Sequence, residues 1–328
     1  MAVDLVDALL RQQVFYEMWK EHEAQEGERT IEIIIAAVIG VIAGMDKQDF
    51  ATMTRTEVQG LIERVNRTVR KPLGELSRNT EKFIRETLVT VTRVTMANYN
   101  AAEGTNRSRV GKTAAERAAQ VIEEATGAGV TVKEMVSDFA AGFVKKVRVG
   151  IQTAYANKWS IAELLKYIKG DAAKGYKDGV LNKLKNEIRA LIKTAMQHVQ
   201  AWADYNVGRL FHDFYQWISV LDMATTDICR SRHRNVYRYG AGPLPPAHYN
   251  CRSRIVAVAA DMSNQIPPDF YSWISRQPDA FLEKALLPSD YAKVKDGTAT
   301  KRDFPNYANR KTATRAQFEK NATTTENS

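Results

Sequence analysis

The sequence predicts a mainly α-helical protein, with a multi-helix N-terminal region followed by a small α+β domain of short antiparallel strands. Three observations predict it. Apolar residues recur at helical spacing through most of residues 2–212, and capping-box pairs open two of the later apolar runs. Only three short stretches, between residues 215 and 259, are rich in β-branched and aromatic side chains.

Taken in order, residues 2–24 read as an amphipathic helix through Leu5, Val6, Leu9, Leu10 and Val14, broken by an acidic stretch around Gly27. A second helix is expected over about 31–45. Its apolar run, 33–45, falls short of the roughly 18–20 residues a bilayer span needs. Flanking charges at Glu28, Arg29 and Glu32, then Asp46, Lys47 and Asp49, suit a helix buried in protein. Helices over 53–70 and 78–103 are separated at Pro72 and Gly74. Residues 114–126 are helix-prone up to Gly127 and Gly129, and Thr131 with Glu134 and Ser160 with Glu163 have capping-box spacing. A long helix over about 178–212 carries Leu184, Ile188, Leu191 and Met196 on one face. Strands are expected at 215–222, 235–239 and 254–259, punctuated by Gly240, Gly242, Pro243, Pro245 and Pro246. Beyond residue 300 the chain turns polar and reads as a flexible tail.

Composition bounds the function. Hydrophobic residues make up 44% and charged residues 26%, values of a globular protein rather than a membrane or disordered one. No basic stretch, apolar core and cleavage site follow one another at the N-terminus, so a cytoplasmic site of synthesis is expected. The net charge of +9 is uneven. Residues 1–60 hold eleven acidic and five basic residues, residues 140–195 twelve basic and four acidic, and residues 229–254 six arginines and no acid. That asymmetry suits a protein contact at one end and a polyanion at the other, although a solvated helical face has the same pattern.

The stretch 104–113 ends like a phosphate-binding loop, but Asn106 stands where that loop needs glycine and no apolar strand precedes it. His22, His198, His212, His233 and His248 accompany neither a nucleophile elbow nor a zinc-protease pattern. Cys229 and His248 could pair as thiol and imidazole, but surrounding arginines alone do not make an active site, and no enzyme is expected. The two cysteines lie in a suggestive arrangement: Cys229-x3-His233, fourteen residues, then His248-x2-Cys251. Two thiolates and two imidazoles at that spacing could hold structural zinc. A Cys229–Cys251 disulfide and two unlinked thiols are the other readings.

Residues 217–222 (WISVLD), 226–229 (TDIC), 235–237 (NVY) and 245–253 (PPAHYNCRS) together resemble the signature of Mu F-like phage minor head proteins, the phage head-morphogenesis family. Strong likeness covers about residues 215–258. The family often has cysteine where this chain has Thr226, so zinc here would need His233 as a substitute, and Tyr249 replaces a common proline. The resemblance implies a helical N-terminal region over 1–130, a head-morphogenesis domain over 131–300 and a flexible C-terminal tail over 301–328. It also implies a minor component inside the virion head, near the portal and assembled in the host cytoplasm, that aids head assembly, DNA packaging or ejection. Portal protein, major capsid protein and packaged DNA are the expected partners, with no membrane. Arg230, Arg232, Arg234, Arg238, Arg252 and Arg254 are expected to decorate a rigid knob for DNA or portal contact. A DNA-binding protein without a capsid role is the alternative.

Overall fold

In the computed structural model residues 4–45, 49–107, 120–259, 269–304 and 311–323 are described. The chain is mainly helical, with one three-stranded antiparallel sheet among the described residues.

The first two helices are longer than their sequences predict. Helix α1 (Leu5–Ala43) passes through Gly27 without a break. A Cβ on Gly27 would collide with Ile192 and lie 3.2 Å from Ile188 Cγ1, so the missing side chain is what lets these residues approach. That packing outweighs the roughly 1 kcal/mol glycine costs inside a helix. The acidic stretch is also compensated, since Glu28 pairs with Arg189 at 2.7 Å and Lys185 at 3.4 Å. Along the apolar run Ile34, Ile35, Val38 and Ile42 are buried while Ile33 is 71% exposed, a one-sided face rather than a span. No helix among the described residues is long and apolar enough to cross a membrane.

Helix α2 (Arg55–Glu103) continues through Pro72 instead of stopping there. Proline removes one backbone donor, but Val58, Leu61, Val65, Val69 and Leu73 keep one buried stripe up to and past its ring. Of the helix expected over 114–126, residues 114–119 lie outside the described residues and 120–123 are helical. Helix α3 (Val132–Ala156) follows a turn at Gly129, whose φ is +83°. Helix α4 (Ile161–Lys169) opens with the expected capping box. The Ser160 N–H donates to Glu163 at 2.7 Å, and the Glu163 N–H donates to Ser160 Oγ at 3.2 Å. The long helix is α5 (Val180–Gly208).

Strand β1 (Phe214–Ile218) is central, flanked by β2 (Val236–Arg238) and β3 (Arg254–Val258), both antiparallel to it. The register sets Tyr215 opposite Tyr237 on one side and Trp217 opposite Ile255 on the other. Between β1 and β2 lies the short helix α6 (Asp227–Arg232). Three further short helices follow the sheet: α7 (Phe270–Ile274), α8 (Asp279–Ala285) and α9 (Pro288–Lys295). The expectation of a flexible tail from residue 301 needs correction. Helix α10 (Arg315–Asn321) opens with a Thr314/Gln317 capping box, and its Phe318 is fully buried, stacked on Trp19 with ring centroids 5.2 Å apart. Residues 324–328 lie outside the described residues.

The chain forms two compact units, each gathered from separate stretches. Unit 1 comprises residues 1–23, 84–132 and 193–328; unit 2 comprises residues 24–83 and 133–192. Neither coincides with the linear divisions 1–130 and 131–300. Unit 1 holds the sheet, with Leu9, Met96, Tyr99, Val207, Ile218 and Val256 packed together and Tyr215, Trp217, Cys229, Cys251 and Ile255 forming a second cluster.

Candidate functional site

The sequence motif converges in unit 1 around the two cysteines. Cys229 lies in α6, and Cys251 follows a turn in which Asn250 adopts a left-handed φ of +60°. Both are buried. Their sulfurs are 3.8 Å apart, too far for the bond of about 2.05 Å in a disulfide, so both are thiols. His248 Nε2 lies 3.2 Å from Cys229 Sγ. The other ring nitrogen, Nδ1, is 2.8 Å from the Tyr249 carbonyl, which can only accept. A proton therefore sits on Nδ1, and Nε2 faces the Cys229 sulfur.

The donor atoms of Cys229, His248 and Cys251 all lie within 4.8 Å of one another, a buried group able to hold a metal ion. Two of its spacings, 3.8 Å between the sulfurs and 3.2 Å from Cys229 Sγ to His248 Nε2, are close to those around a tetrahedral ion. Two thiolates about 2.3 Å from zinc stand about 3.8 Å apart, and a thiolate and an imidazole nitrogen about 3.5 Å apart. The Tyr249 carbonyl, accepting from Nδ1, fixes the imidazole, as the outer partner of a ligating histidine commonly does. Without a metal the cluster shares protons unevenly. A hydrogen bond from Cys229 holds the Cys251 thiol well below its ordinary range, the same bond and burial push Cys229 up, and a hydrogen bond with Cys251 raises His248.

His233, the expected fourth ligand, is not part of this group. Its Nδ1 accepts the Ser219 N–H at 3.0 Å, which commits the ring to the end of β1. Thr226 comes to the cluster instead, with Oγ1 2.9 Å from His248 Nε2. Ser219 and Ser253, which sequence reasoning passed over, tie the surroundings together. Ser219 Oγ receives the Trp217 indole N–H at 3.0 Å and donates to the Cys229 carbonyl at 2.7 Å, so at the 3.1 Å contact Ser253 is the donor.

The six arginines separate into different roles. Arg254 is 1% exposed and pairs with the fully buried Asp204 at 2.7 Å, also donating to the Leu9 carbonyl. Arg252 grips buried Asp222 with two nitrogens, one at 2.6 Å. Arg232 lies over the Trp217 ring at 5.1 Å. Arg230 is exposed but donates to the Asp222 and Thr225 carbonyls, both at 3.0 Å. Arg234 and Arg238 are exposed. A surface knob of all six is therefore corrected: Arg254 is an interior group, and Arg252 is spent on Asp222.

Comparisons with family models, with curated proteins and with solved structures return no match.

Half of the twelve basic residues in 140–195 are likewise engaged, since Lys146, Lys166, Lys174, Lys185, Arg189 and Lys193 form ion pairs. A different basic surface stands open in unit 2. Arg64, Arg67, Lys71 and Arg78 are exposed on α2, and at 100° per residue they fall within an arc of about 60° along about 21 Å of helix. Among the described residues no carboxylate pairs with Arg64, Arg67 or Arg78, and Lys71 reaches Glu75 only at 3.9 Å.

Proposed function

We propose that the chain is a structural protein of a tailed-phage head: a minor head protein of the Mu F-like kind, inside the head near the portal. There it meets portal and major capsid proteins and aids head assembly, DNA packaging or ejection. The observation that supports this reading is the convergence of the motif. Residues 217–222, Cys229 and residues 245–253, which carry the family resemblance, come together in one module whose polar side chains are tied to one another. Asp222 is taken by Arg252, Ser219 by Trp217 and Cys229, and His233 by Ser219. Such bonds fix turns. They do not present an acid, a base and a nucleophile to a substrate, so the role is scaffolding rather than catalysis.

Structural zinc on Cys229, His248 and Cys251 belongs to the same reading. Two sulfurs and an imidazole suit zinc, and the metal would staple a sheet too small to bury a large core alone. The α2 row of cations is the face offered to packaged DNA. The head reading is tested by capture of portal protein from assembled heads and by locating the chain in an averaged virion map; no density in head or neck overturns it. Elemental analysis of the purified chain is expected to give one zinc per chain.

The second reading, a non-specific DNA-binding protein with no capsid role, is favoured by the same row. Tight duplex binding without portal capture would select it.

A further inference from the structure

We infer that the metal centre is not closed: its fourth coordination position belongs to a solvent molecule held by Thr226, and exchanges for small monodentate donors. The inference rests on metal binding by Cys229, His248 and Cys251 and goes further, because a purely structural zinc site is ordinarily closed by a fourth protein ligand.

Three observations carry it. His233, the one further residue whose type and spacing suit a ligand, is turned to the Ser219 N–H. Thr226 is the N-cap of α6, where a threonine hydroxyl commonly accepts a backbone N–H, yet it makes no side-chain cap bond. Its Oγ1 stands 2.9 Å from His248 Nε2, the atom that would bind the metal. When Nε2 gives its lone pair to the ion, the hydroxyl loses that partner and is left at the edge of the coordination sphere. Finally, a cavity of about 20 Å³ opens beside Cys229 and His248, lined also by Thr226, Asn250, Arg252 and Ser253. It has room for one water and polar groups to hold it. A neutral alcohol is a weak zinc ligand, whereas water in such a cavity can bind the ion and hydrogen-bond Thr226 Oγ1. Thr226 is thus a positioning residue, and the ligand class is a small donor such as azide or imidazole. Exchange at this position is a simple substitution: the donor's lone pair replaces water's, with no redox change.

Cobalt(II) loaded into the full chain in place of zinc provides the test. In the wild type, azide should shift the visible cobalt bands saturably. Thr226→Cys should add a third thiolate, raise the sulfur-to-cobalt charge-transfer intensity by about half and abolish the azide response. Thr226→Ala, which keeps the open position, should still respond to azide. A loaded wild type indifferent to azide, or a Thr226→Cys variant with unchanged bands, overturns the inference while leaving the metal site standing. Failure of the wild type to take up cobalt or zinc overturns the metal reading itself.

Discussion

Arg254→Ala would leave the Asp204 carboxylate where water does not reach. In the wild type Arg254 meets Asp204 at 2.7 Å through one nitrogen and 3.2 Å through another, with both side chains at most 1% exposed. Unit charges about 4 Å apart attract by about 4 kcal/mol at an effective dielectric of about 20. Truncation loses that attraction and the bond to the Leu9 carbonyl, and buried pairs broken from one side cost about 3–5 kcal/mol. Burial already holds the Asp204 carboxyl above its ordinary range, against the lowering effect of Arg254. Removing the cation raises it further. A carboxyl with a raised folded pKa gives its full stability below the unfolded value of about 3.9 and loses it as pH rises through the folded value. The penalty should therefore be largest at pH 7 and shrink as pH falls toward 4.

The assay is urea unfolding followed by tryptophan fluorescence, since Trp19, Trp202, Trp217 and Trp273 all lie in unit 1. Arg254→Ala should lose about 3–5 kcal/mol at neutral pH and visibly less at pH 5. The double replacement Arg254→Met with Asp204→Leu removes both charges and should recover most of the loss, because apolar groups of similar volume often replace a buried pair without cost. A loss under about 1 kcal/mol at pH 7, or one that does not shrink with acid, refutes the reasoning. So does a variant of unchanged stability that binds DNA more weakly, for that would make Arg254 a contact residue.

Three other outcomes are expected. Chelation should lower the melting temperature of the zinc-loaded chain by on the order of 10 °C, and Cys251→Ser should melt like the chelated wild type; a chain indifferent to chelation contradicts the metal centre. Replacing Arg64, Arg67, Lys71 and Arg78 together by Gln should reduce the slope of log affinity for duplex DNA against log salt by about 3 to 4, whereas Lys at the three arginine positions should preserve it. An unchanged slope removes α2 from the DNA face. His198 is buried with Nε2 3.1 Å from the Val121 carbonyl, and burial depresses its pKa to about 4. Its contribution is whole above the unfolded value of about 6.5 and is lost as pH falls toward 4, so His198→Gln should flatten acid destabilisation between those values, by on the order of 3 kcal/mol. Identical acid unfolding curves would show that another group titrates.

Most helices were legible because burial follows the 3.6-residue period, and the strands because short β-branched and aromatic runs sit between glycines and prolines. Gly27 and Pro72 misled because local propensity states a cost without the gain that offsets it: Ile188 and Ile192 filling the space at Gly27, and the buried stripe running past Pro72. The Phe318 helix was hidden for a related reason. A lone aromatic in a seven-residue helix sets no periodicity, and its packing on Tyr16 and Trp19 reveals its worth. At the candidate site Cys229, His248 and Cys251 could be read from spacing, while His233 could not be excluded without the Ser219 N–H that occupies it.

The arginines show the limit most clearly. Arg238 and Arg254 carry the same charge, each as an end residue of a strand of the same module. What separates them is Asp204, fifty residues before Arg254, which turns one guanidinium inward and leaves the other in water. Counts over a window see acids nearby and miss acids brought in by folding. That bias explains why residues 140–195, with a window charge of +8, spend six of their twelve cations on ion pairs, whereas Arg64, Arg67 and Arg78 of α2 meet no carboxylate among the described residues. On α2 the nearby acids Glu63, Glu75 and Glu81 dilute the window charge, yet of these three only Glu75 pairs with the row among the described residues, meeting Lys71 at 3.9 Å. Polyanion binding should follow the cations left unpaired after folding, so the α2 replacements should weaken duplex binding more than an equal number of Gln replacements at Lys146, Lys166, Lys174 and Lys185. The reverse order would mean that those ion pairs open to DNA and that pairing in the free chain does not decide the contact.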